Sequence, residues 1–308
     1  MVIPAQRSGT DTPSAARTPP PQPSRVLTRG LAIVAVLFLG LPIFALVARA
    51  VAGGLLVQTL GEPIILDALV LSLTTTAVTL VLTVAFGTPL AYVLARRRFR
   101  GAAIIETLVD LPIVLPPSVA GLGLLLLLGR AGILGGALSG IGVDLAFSTA
   151  AVVLAQTFVA APFYVRSART GFALIDQDLE DAARTDGASE RQVLRWITLP
   201  LAASALATGL VTTWARALGE FGATIMFAGS IQGTTQTLPL VVYAQFEGSL
   251  DASIAAAAIL VLAAFGVLVA IRLGGRRVLV GSFGSRSFGA RSSSEPPNLP
   301  LDLGRPGS

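Results

Sequence analysis

The 308-residue chain is 53% hydrophobic and 13% charged, with a mean hydropathy of +0.77, far above that of most soluble domains. It has no cysteine and no histidine, which excludes disulfides, thiolate or imidazole metal sites, and Cys or His nucleophiles. All 22 basic residues are arginine. They lie beside apolar segments and form no single patch, so membrane topology explains the net charge of +5 better than nucleic-acid binding does. The composition predicts an all-α, multi-pass membrane protein.

The first segment, residues 1–29, is rich in Pro, Ser, Thr and Arg, with too few apolar residues to offset the entropy of folding. We expect it to be a disordered cytoplasmic tail. Residues 30–67 are expected to hold the first transmembrane helix and an external loop. This segment contains Ala48-Arg49-Ala50, which resembles a signal cleavage site, but the apolar region is longer than a usual signal core.

Six apolar stretches are each near or above the ~20 residues that cross a bilayer as a helix. They are Leu31–Val51, Ala68–Ala95, Leu111–Leu128, Phe147–Val165, Leu201–Phe227 and Ile254–Ile271. Arginines flank these stretches on alternate sides, before the first and after the second, fourth and sixth, and Lys/Arg-rich short loops stay cytoplasmic. The pattern predicts six spans with both termini in the cytoplasm. Residues 273–308, rich in Gly, Ser, Pro and Arg, are expected to form a disordered cytoplasmic tail.

Between the fourth and fifth spans lies the most charge-dense run of the chain, LEDAARTDGASERQVLRWITLP, residues 179–200. A narrow apolar face of a short helix is predicted at Leu179, Ala182 and Ala183, with Glu180, Asp181 and Arg184 on the rest of its surface. Gly187 is expected to end this helix, and the capping-box pattern from Ser189 to Gln192 to begin a second one. Pro200 is expected to separate that helix from the fifth span.

This insert is predicted to be a helix–turn–helix projection that docks into a protein groove, because alanine anchors poorly in lipid but permits close packing. The alternative is an amphipathic connector that lies on the lipid headgroups, which the arginines and Trp196 would suit.

The spacing of the insert resembles the EAA…G…I-x-LP loop of ABC-type importer permeases. Asp181-Ala182-Ala183 is followed by three residues and Gly187, then by nine residues and Ile197-Thr198-Leu199-Pro200. The sequence departs from that pattern at Asp181, where the family usually has Glu, and at Asp186, where an apolar residue often precedes the Gly.

The resemblance covers roughly residues 68–272 and implies a type I importer permease fold, with a coupling loop at 176–200 that docks on a cytoplasmic ATPase subunit. The loop residues it implies are Glu180, Asp181, Ala182, Ala183, Gly187, Leu199 and Pro200. The chain has no G-x-x-x-x-G-K-[ST] phosphate loop. We therefore expect no cofactor or metal in this chain and the use of ATP-Mg by a partner pair of ATPase subunits.

The fifth span contains TTWARALGEFGATIMFAG, residues 212–229, with Arg216 and Glu220 on one helical face. Each charge at membrane depth costs ~3 kcal/mol or more unless it is paired or faces water. We expect the two to pair with each other in preference to contacting substrate directly. Gly219 and Gly222 flank Glu220 and permit either close helix approach or a break.

Three stretches resemble the molybdate permeases among the type I importers: ARALGEFGATIMFAG, TTQTLPLVVY, and LPIVLPPSVAGLGLLLLLGRAGILG at residues 111–135. Sulfate and thiosulfate permeases share the Arg-Ala-x-Gly-Glu-[Phe/Tyr]-Gly theme, and tungstate permeases are nearly indistinguishable, but QTLP at residues 236–239 favours molybdate. The resemblance implies a homodimer around one central path, in the plasma membrane of a prokaryote, supplied by an extracytoplasmic oxyanion-binding protein.

A divalent oxyanion needs a path of hydroxyls, glycine backbone and a few arginines, without deep charge wells. Candidate path or gate residues are Thr75, Pro116, Pro117, Ser118, Arg216, Gly219, Glu220 and Gly222. Two alternatives remain open: that the threonines only bond their own helices, and that the prolines make a static kink. A short external helix at Leu238–Phe246 is expected to meet the binding protein.

Two other classes of function compete with an importer subunit. A stand-alone channel or ion-coupled carrier needs no cytoplasmic docking projection. An intramembrane enzyme is disfavoured, because the chain has no Cys or His site and no paired intramembrane carboxylates, so we assign no catalytic residue.

Overall fold

The computed structural model describes residues 25–97 and 99–283, with side chains at 27–97 and 99–271. All regular elements in these ranges are helical: α1 Arg25–Ala52, α2 Leu55–Thr59, α3 Pro63–Arg96, α4 Ala102–Val114, α5 Pro117–Leu128, α6 Gly135–Gly140, α7 Thr149–Ala173, α8 Gln177–Thr185, α9 Glu190–Val193, α10 Leu199–Leu218, α11 Gly222–Phe227, α12 Leu238–Gly248 and α13 Leu250–Phe283. A π-helical turn, Leu194–Thr198, joins α9 to α10. The prediction of an all-helical protein is confirmed.

Five stretches of helix in the described ranges are long and apolar enough to cross a membrane: α1, α3, α7, Glu190–Leu218 and α13. A sixth span arises if α4 and α5, which meet at an angle of 117°, are counted together. The prediction of a single helix at Leu111–Leu128 is wrong, because α4 ends at Val114 and α5 begins at Pro117. Two successive prolines remove two backbone N–H donors there, which breaks the helical ladder.

The predicted tail boundaries fall inside helices. Helix α1 already begins at Arg25, within the expected tail 1–29, and α13 continues to Phe283, beyond the expected domain end at residue 272. Residues 1–24 and 284–308 of the two expected tails lie outside the described residues.

Helix α7 is the centre of the fold. It packs along α3 and α10, and it also contacts α4, α5 and α11. One apolar core joins it to α5 and α11 around Val152, Val159 and Phe227. A second joins it to α3 and α10 around Tyr164 and Phe172. These contacts fix the relative positions of the helices that carry the candidate site.

The threonine row of α3 is directed into this packing. Ser72, Thr75, Thr76, Thr79 and Thr83 are buried. Thr79 donates to the side-chain carbonyl of buried Gln156 at 3.1 Å, and Thr75 donates to the carbonyl of Leu71 at 2.8 Å. Thr75, predicted as a path residue, is thus 2% exposed and bonded to its own helix. Its location matches the alternative of helix self-bonding and argues against substrate contact.

The helix predicted near Leu238–Phe246 is α12, which packs against α13 and α3. The backbone N–H of Leu238 donates to the buried hydroxyl of Ser72 at 2.8 Å. Tyr243 and Phe246 remain exposed at 53% and 64%. One side of α12 is therefore fixed to the spans, and the other is free for contact.

Candidate functional site: the coupling loop and the paired helix breaks

Local sequence signals define the shape of the insert between α7 and α10. Gly187 has a φ of 90° and follows α8. Its N–H donates to the carbonyl of Arg184 at 3.0 Å, and the N–H of Ala188 donates to that of Ala183 at 2.9 Å. This is the Schellman pattern that a left-handed residue makes possible after a helix. Ser189 and Gln192 form the predicted capping box, with the Ser189 N–H 2.8 Å from Gln192 Oε1. The predicted helix–turn–helix is confirmed.

Glu180 corrects the predicted surface of α8, because it is 2% exposed. Its Oε1 accepts a hydrogen bond from Arg96 Nη2 at 2.8 Å and another from the Thr198 hydroxyl at 2.8 Å. Arg96 Nη1 also donates to the carbonyl of Ile175 at 3.1 Å. The Arg96 side chain is 8% exposed, so the ion pair is nearly dry. This Arg96–Glu180–Thr198 cluster joins the cytoplasmic end of α3 to α8 and to the π turn before α10.

Asp181, the residue aligned with the family's acidic position, lies on the opposite, exposed side of α8. Its side chain is 69% exposed and accepts from Arg184 Nη1 at 2.7 Å. Arg184 also donates to Glu190 Oε1 at 2.7 Å, and this hydrogen bond raises the pKa of the guanidinium above its usual value. Arg184 therefore connects α8 to the start of α9 while both acids stay at the surface.

Pro200 does not separate the insert from the fifth span, as the sequence had suggested. It lies in the first turn of α10, and the chain runs helically from Glu190 to Leu218. In the π turn, the N–H of Leu199 donates a hydrogen bond to the carbonyl of Leu194. This wider turn precedes the proline and accommodates its ring, which clashes with the carbonyl of residue i−4 in a regular α-helix. The insert is therefore joined to α10 by continuous helix.

The insert exposes apolar surface to the outside. Leu179 is 52% exposed and Trp196 is 70% exposed. Ala182 is also exposed, and Ala183 is half-buried. Arg195 stacks over the Trp196 ring at 5.5 Å. A charged cleft of about 560 Å³ opens between the end of α3 and the two short helices. The predicted docking face is thus accessible.

The third and fifth spans are both interrupted, and the two interruptions touch. Residues Gly219–Phe221 separate α10 from α11, so the helix breaks beside Glu220, which is one of the two alternatives that Gly219 and Gly222 permit. A Cβ on Gly222 would lie 2.9 Å from the Cβ of Pro117 and 3.1 Å from the Ser118 nitrogen. A Cβ on Gly121 would lie 2.5 Å from the Ala223 carbonyl oxygen. The glycines allow the starts of α5 and α11 to pack closely together.

The charged pair of span five lies at this junction. Glu220 is 1% exposed and forms an ion pair with Arg216, which confirms the expectation that the two charges pair. Glu220 Oε1 also accepts from the backbone N–H of Ala223 at 2.7 Å, satisfying a donor in the first turn of α11. Seven of the eight predicted path residues, all except Thr75, therefore lie at one junction: Pro116, Pro117, Ser118, Arg216, Gly219, Glu220 and Gly222.

Sequence reasoning missed the partners of Glu180. Arg96 was interpreted only as part of the arginine run after the second span, and Thr198 only as the variable letter of the I-x-LP motif. No signal in one sequence distinguishes a buried arginine from its exposed neighbour Arg97, since the contact joins residues 84 positions apart.

Comparison with known proteins was consistent with this architecture. Residues 87–278 match the family model described as "Binding-protein-dependent transport system inner membrane component". The molybdenum transport system permease protein ModB of Mycobacterium tuberculosis is 43% identical over 245 residues, covering 80% of this chain and 92% of the relative. The molybdate/tungstate transport system permease protein WtpB of Pyrococcus abyssi is 34% identical over 238 residues, covering 77% and 90%.

A solved structure shares the fold. A bacterial alginate ABC transporter, in complex with an alginate pentasaccharide-bound periplasmic protein, contains a chain that matches with a TM-score of 0.66 at 20% identity. The match covers 82% of this chain and 94% of that one. The chain belongs to the family of binding-protein-dependent transport system inner membrane components, the permease subunits of ABC importers.

Proposed function

We propose that this chain is the molybdate permease subunit of an ATP-driven importer. The observation that carries the proposal is its 43% identity to a protein named as a molybdenum transport permease, across 92% of that protein's length. Tungstate is the nearest competing substrate, because relatives named as molybdate/tungstate permeases are 34–38% identical. A stand-alone channel or carrier does not explain a preformed cytoplasmic docking loop in a member of this family.

The coupling loop is the proposed contact with a cytoplasmic ATPase subunit, which uses ATP-Mg. Exposed Leu179 and Trp196 supply apolar contact, and Asp181 supplies an accessible negative charge. The Arg96–Glu180–Thr198 cluster connects this surface to α3 and α10. Closure of the ATPase pair would therefore move α8 together with two membrane helices.

The junction of the two helix breaks is the proposed gate. Pro116 and Pro117 start α5, and Gly222 starts α11 against them. Since α10 is continuous with the coupling loop, a shift of the loop reaches this junction along one helix. Arg216 stays paired with Glu220, so its positive charge is largely neutralised and does not bind a passing anion tightly enough to stop it.

The proposed assembly has two copies of this chain around one path, a pair of ATPases, and an extracytoplasmic oxyanion-binding protein, in the plasma membrane of a prokaryote with both termini of the chain in the cytoplasm. Exposed Tyr243 and Phe246 on α12 are proposed to meet the binding protein. No nucleic acid is involved.

Uptake of labelled molybdate tests the proposal in a prokaryotic strain that lacks its own molybdate permease and expresses this chain with its binding protein and ATPase. We expect uptake that excess tungstate or unlabelled molybdate suppresses and that excess sulfate leaves largely intact. Suppression by sulfate at equal or lower concentration than by molybdate would identify a sulfate permease instead.

A further inference from the structure

One exposed face of α10 carries a row of neutral hydroxyl side chains. Ser204, Thr208 and Thr212 succeed one another one helical turn apart and are exposed, and Arg216 follows one turn later, 28% exposed. At 1.5 Å per residue the row extends for about 18 Å along the helix. We propose that this row lines the route of the oxyanion through the membrane, a proposal that rests on the proposed function.

The composition of the face excludes contact with lipid tails. Between Leu201 and Met226, within the described residues, no large hydrophobic side chain is exposed. Besides the row, the exposed positions there are Ala207 and Ala215 of α10 and Gly219 just after it. Helix α3 shows the contrast. Its exposed face presents Val70, Val81 and Phe86 at 59%, 67% and 74% exposure. A helix in contact with acyl chains presents such apolar side chains, so the face of α10 must meet water or protein.

A cavity that opens widely to the surface, at the end of the row nearer the coupling loop, favours water. It has a volume of about 420 Å³ and is lined by Arg166, Ser167 and Thr170 of α7 and by Ser204, Ala205 and Thr208 of α10. One water takes up about 30 Å³ of liquid volume, so the cavity has room for a hydrated small anion. Arg166 is 62% exposed and only loosely paired, with its Nε 3.6 Å from the Asp110 carboxylate. A guanidinium exposed in this way needs water or an anion beside it.

The chemistry of the row suits passage of a divalent oxyanion rather than storage. The hydroxyls of Thr208 and Thr212 donate to the carbonyls of Ser204 and Thr208, both at 2.8 Å. A hydroxyl that rotates away from its helix carbonyl can donate to an oxyanion instead, and neutral donors hold an anion weakly. Each end of the row has one arginine, Arg166 or Arg216, and each is paired with a carboxylate. The anion therefore meets partly neutralised arginines and no site that binds it tightly enough to stop its passage.

Single cysteines test the face directly, because the chain has none of its own. The assembled transporter carrying Thr208→Cys or Thr212→Cys is treated with the membrane-impermeant sulfonatoethyl methanethiosulfonate. The matched controls are Thr213→Cys, next to the row but fully buried, and Val81→Cys, on the exposed apolar face of α3 that we expect to meet lipid. We expect both row positions to react at least about tenfold faster than both controls.

Two results would overturn the assignment. Reaction at Thr208→Cys and Thr212→Cys no faster than at Val81→Cys would place the face in lipid. Failure to react, with disulfide formation between the two copies, would make the face a dry dimer interface. The labelling needs no transport, so it is independent of the proposed function: rapid labelling in a complex that takes up no molybdate would reject the substrate and retain the water-lined face.

A charge substitution adds a second readout. A carboxylate in the route repels an oxyanion, so uptake by Thr208→Asp is expected to be at least about tenfold below uptake by Thr208→Asn, which has the same size and no charge. Equal uptake by the two variants would contradict a route along this face.

Discussion

Replacing Glu180 is expected to loosen the coupling loop, whereas replacing its neighbour Asp181 is not. Glu180 lies with Arg96 in a nearly dry contact, the two side chains being 3% and 8% exposed. Removing one partner of such a buried pair costs about 3–5 kcal/mol, because the other charge is left without compensation. Asp181 forms its pair at the surface, with its side chain 69% exposed, and exposed pairs contribute roughly 0–1 kcal/mol.

The size of the effect depends on the substitution. Glu180→Ala removes the acceptor of both Arg96 and Thr198. Glu180→Gln keeps an oxygen at the same place and loses only the charge, and since charge-assisted hydrogen bonds are about twice as strong as neutral ones, we expect about half of the full cost. At 1.4 kcal/mol per tenfold, a loss of about 3 kcal/mol raises the local opening of the loop roughly 150-fold.

Hydrogen exchange of the purified permease measures this opening in the segment 177–198. We expect protection to fall in the order wild type, Glu180→Gln, Glu180→Ala, with Asp181→Asn close to wild type. Arg96→Met should also lower protection, but less than Glu180→Ala, since Glu180 keeps Arg184 at 3.7 Å and the Thr198 hydroxyl at 2.8 Å. Unchanged protection in Glu180→Ala, or an equal loss in Asp181→Asn, would refute the reasoning.

Three further substitutions test other parts of the site. Gly187→Val imposes a β-branched residue on a φ of 90° and should reduce co-purification of the ATPase while membrane insertion persists; Gly187→Asn, which tolerates that conformation, is the control. Gly121→Ala places a methyl group 2.5 Å from a carbonyl oxygen of α11 and should lower thermal stability and uptake, whereas Gly123→Ala, with open space around it, should not; equal effects would reject the packing. Glu220→Gln leaves Arg216, whose side chain is 28% exposed, without its charged partner and should impair uptake or dimer stability, and wild-type values of both would show that the pair is dispensable.

Signals that are local in sequence predicted local structure well. The Gly187 turn and the Ser189–Gln192 capping box depend on backbone and side-chain bonds within six residues, and both form as expected. A break beside Glu220 was also predictable from its flanking glycines, because glycine favours irregular backbone. Pro116-Pro117 predicted only a kink in the third span, where the structure has a full break.

Contacts between distant parts of the chain were not predictable. Periodicity placed Glu180 on the surface of a short helix, and only tertiary packing brings Arg96 to it. The same limit applies to Thr75, whose hydroxyl suited a path but is buried and bonded to its own helix. Apolar composition likewise gave one span at Leu111–Leu128, although the direction of the chain changes by 117° within it. One sequence indicates which residues are polar, but not which surface they share.

Transport into liposomes measures the central claim most directly. The permease is reconstituted with its ATPase inside the vesicles, the oxyanion-binding protein outside, and ATP-Mg within. The account predicts molybdate accumulation that requires ATP, the ATPase and the binding protein together, and that Glu180→Ala reduces at unchanged protein content. Molybdate entry that persists without ATP or without the ATPase would identify a channel or carrier and contradict the account.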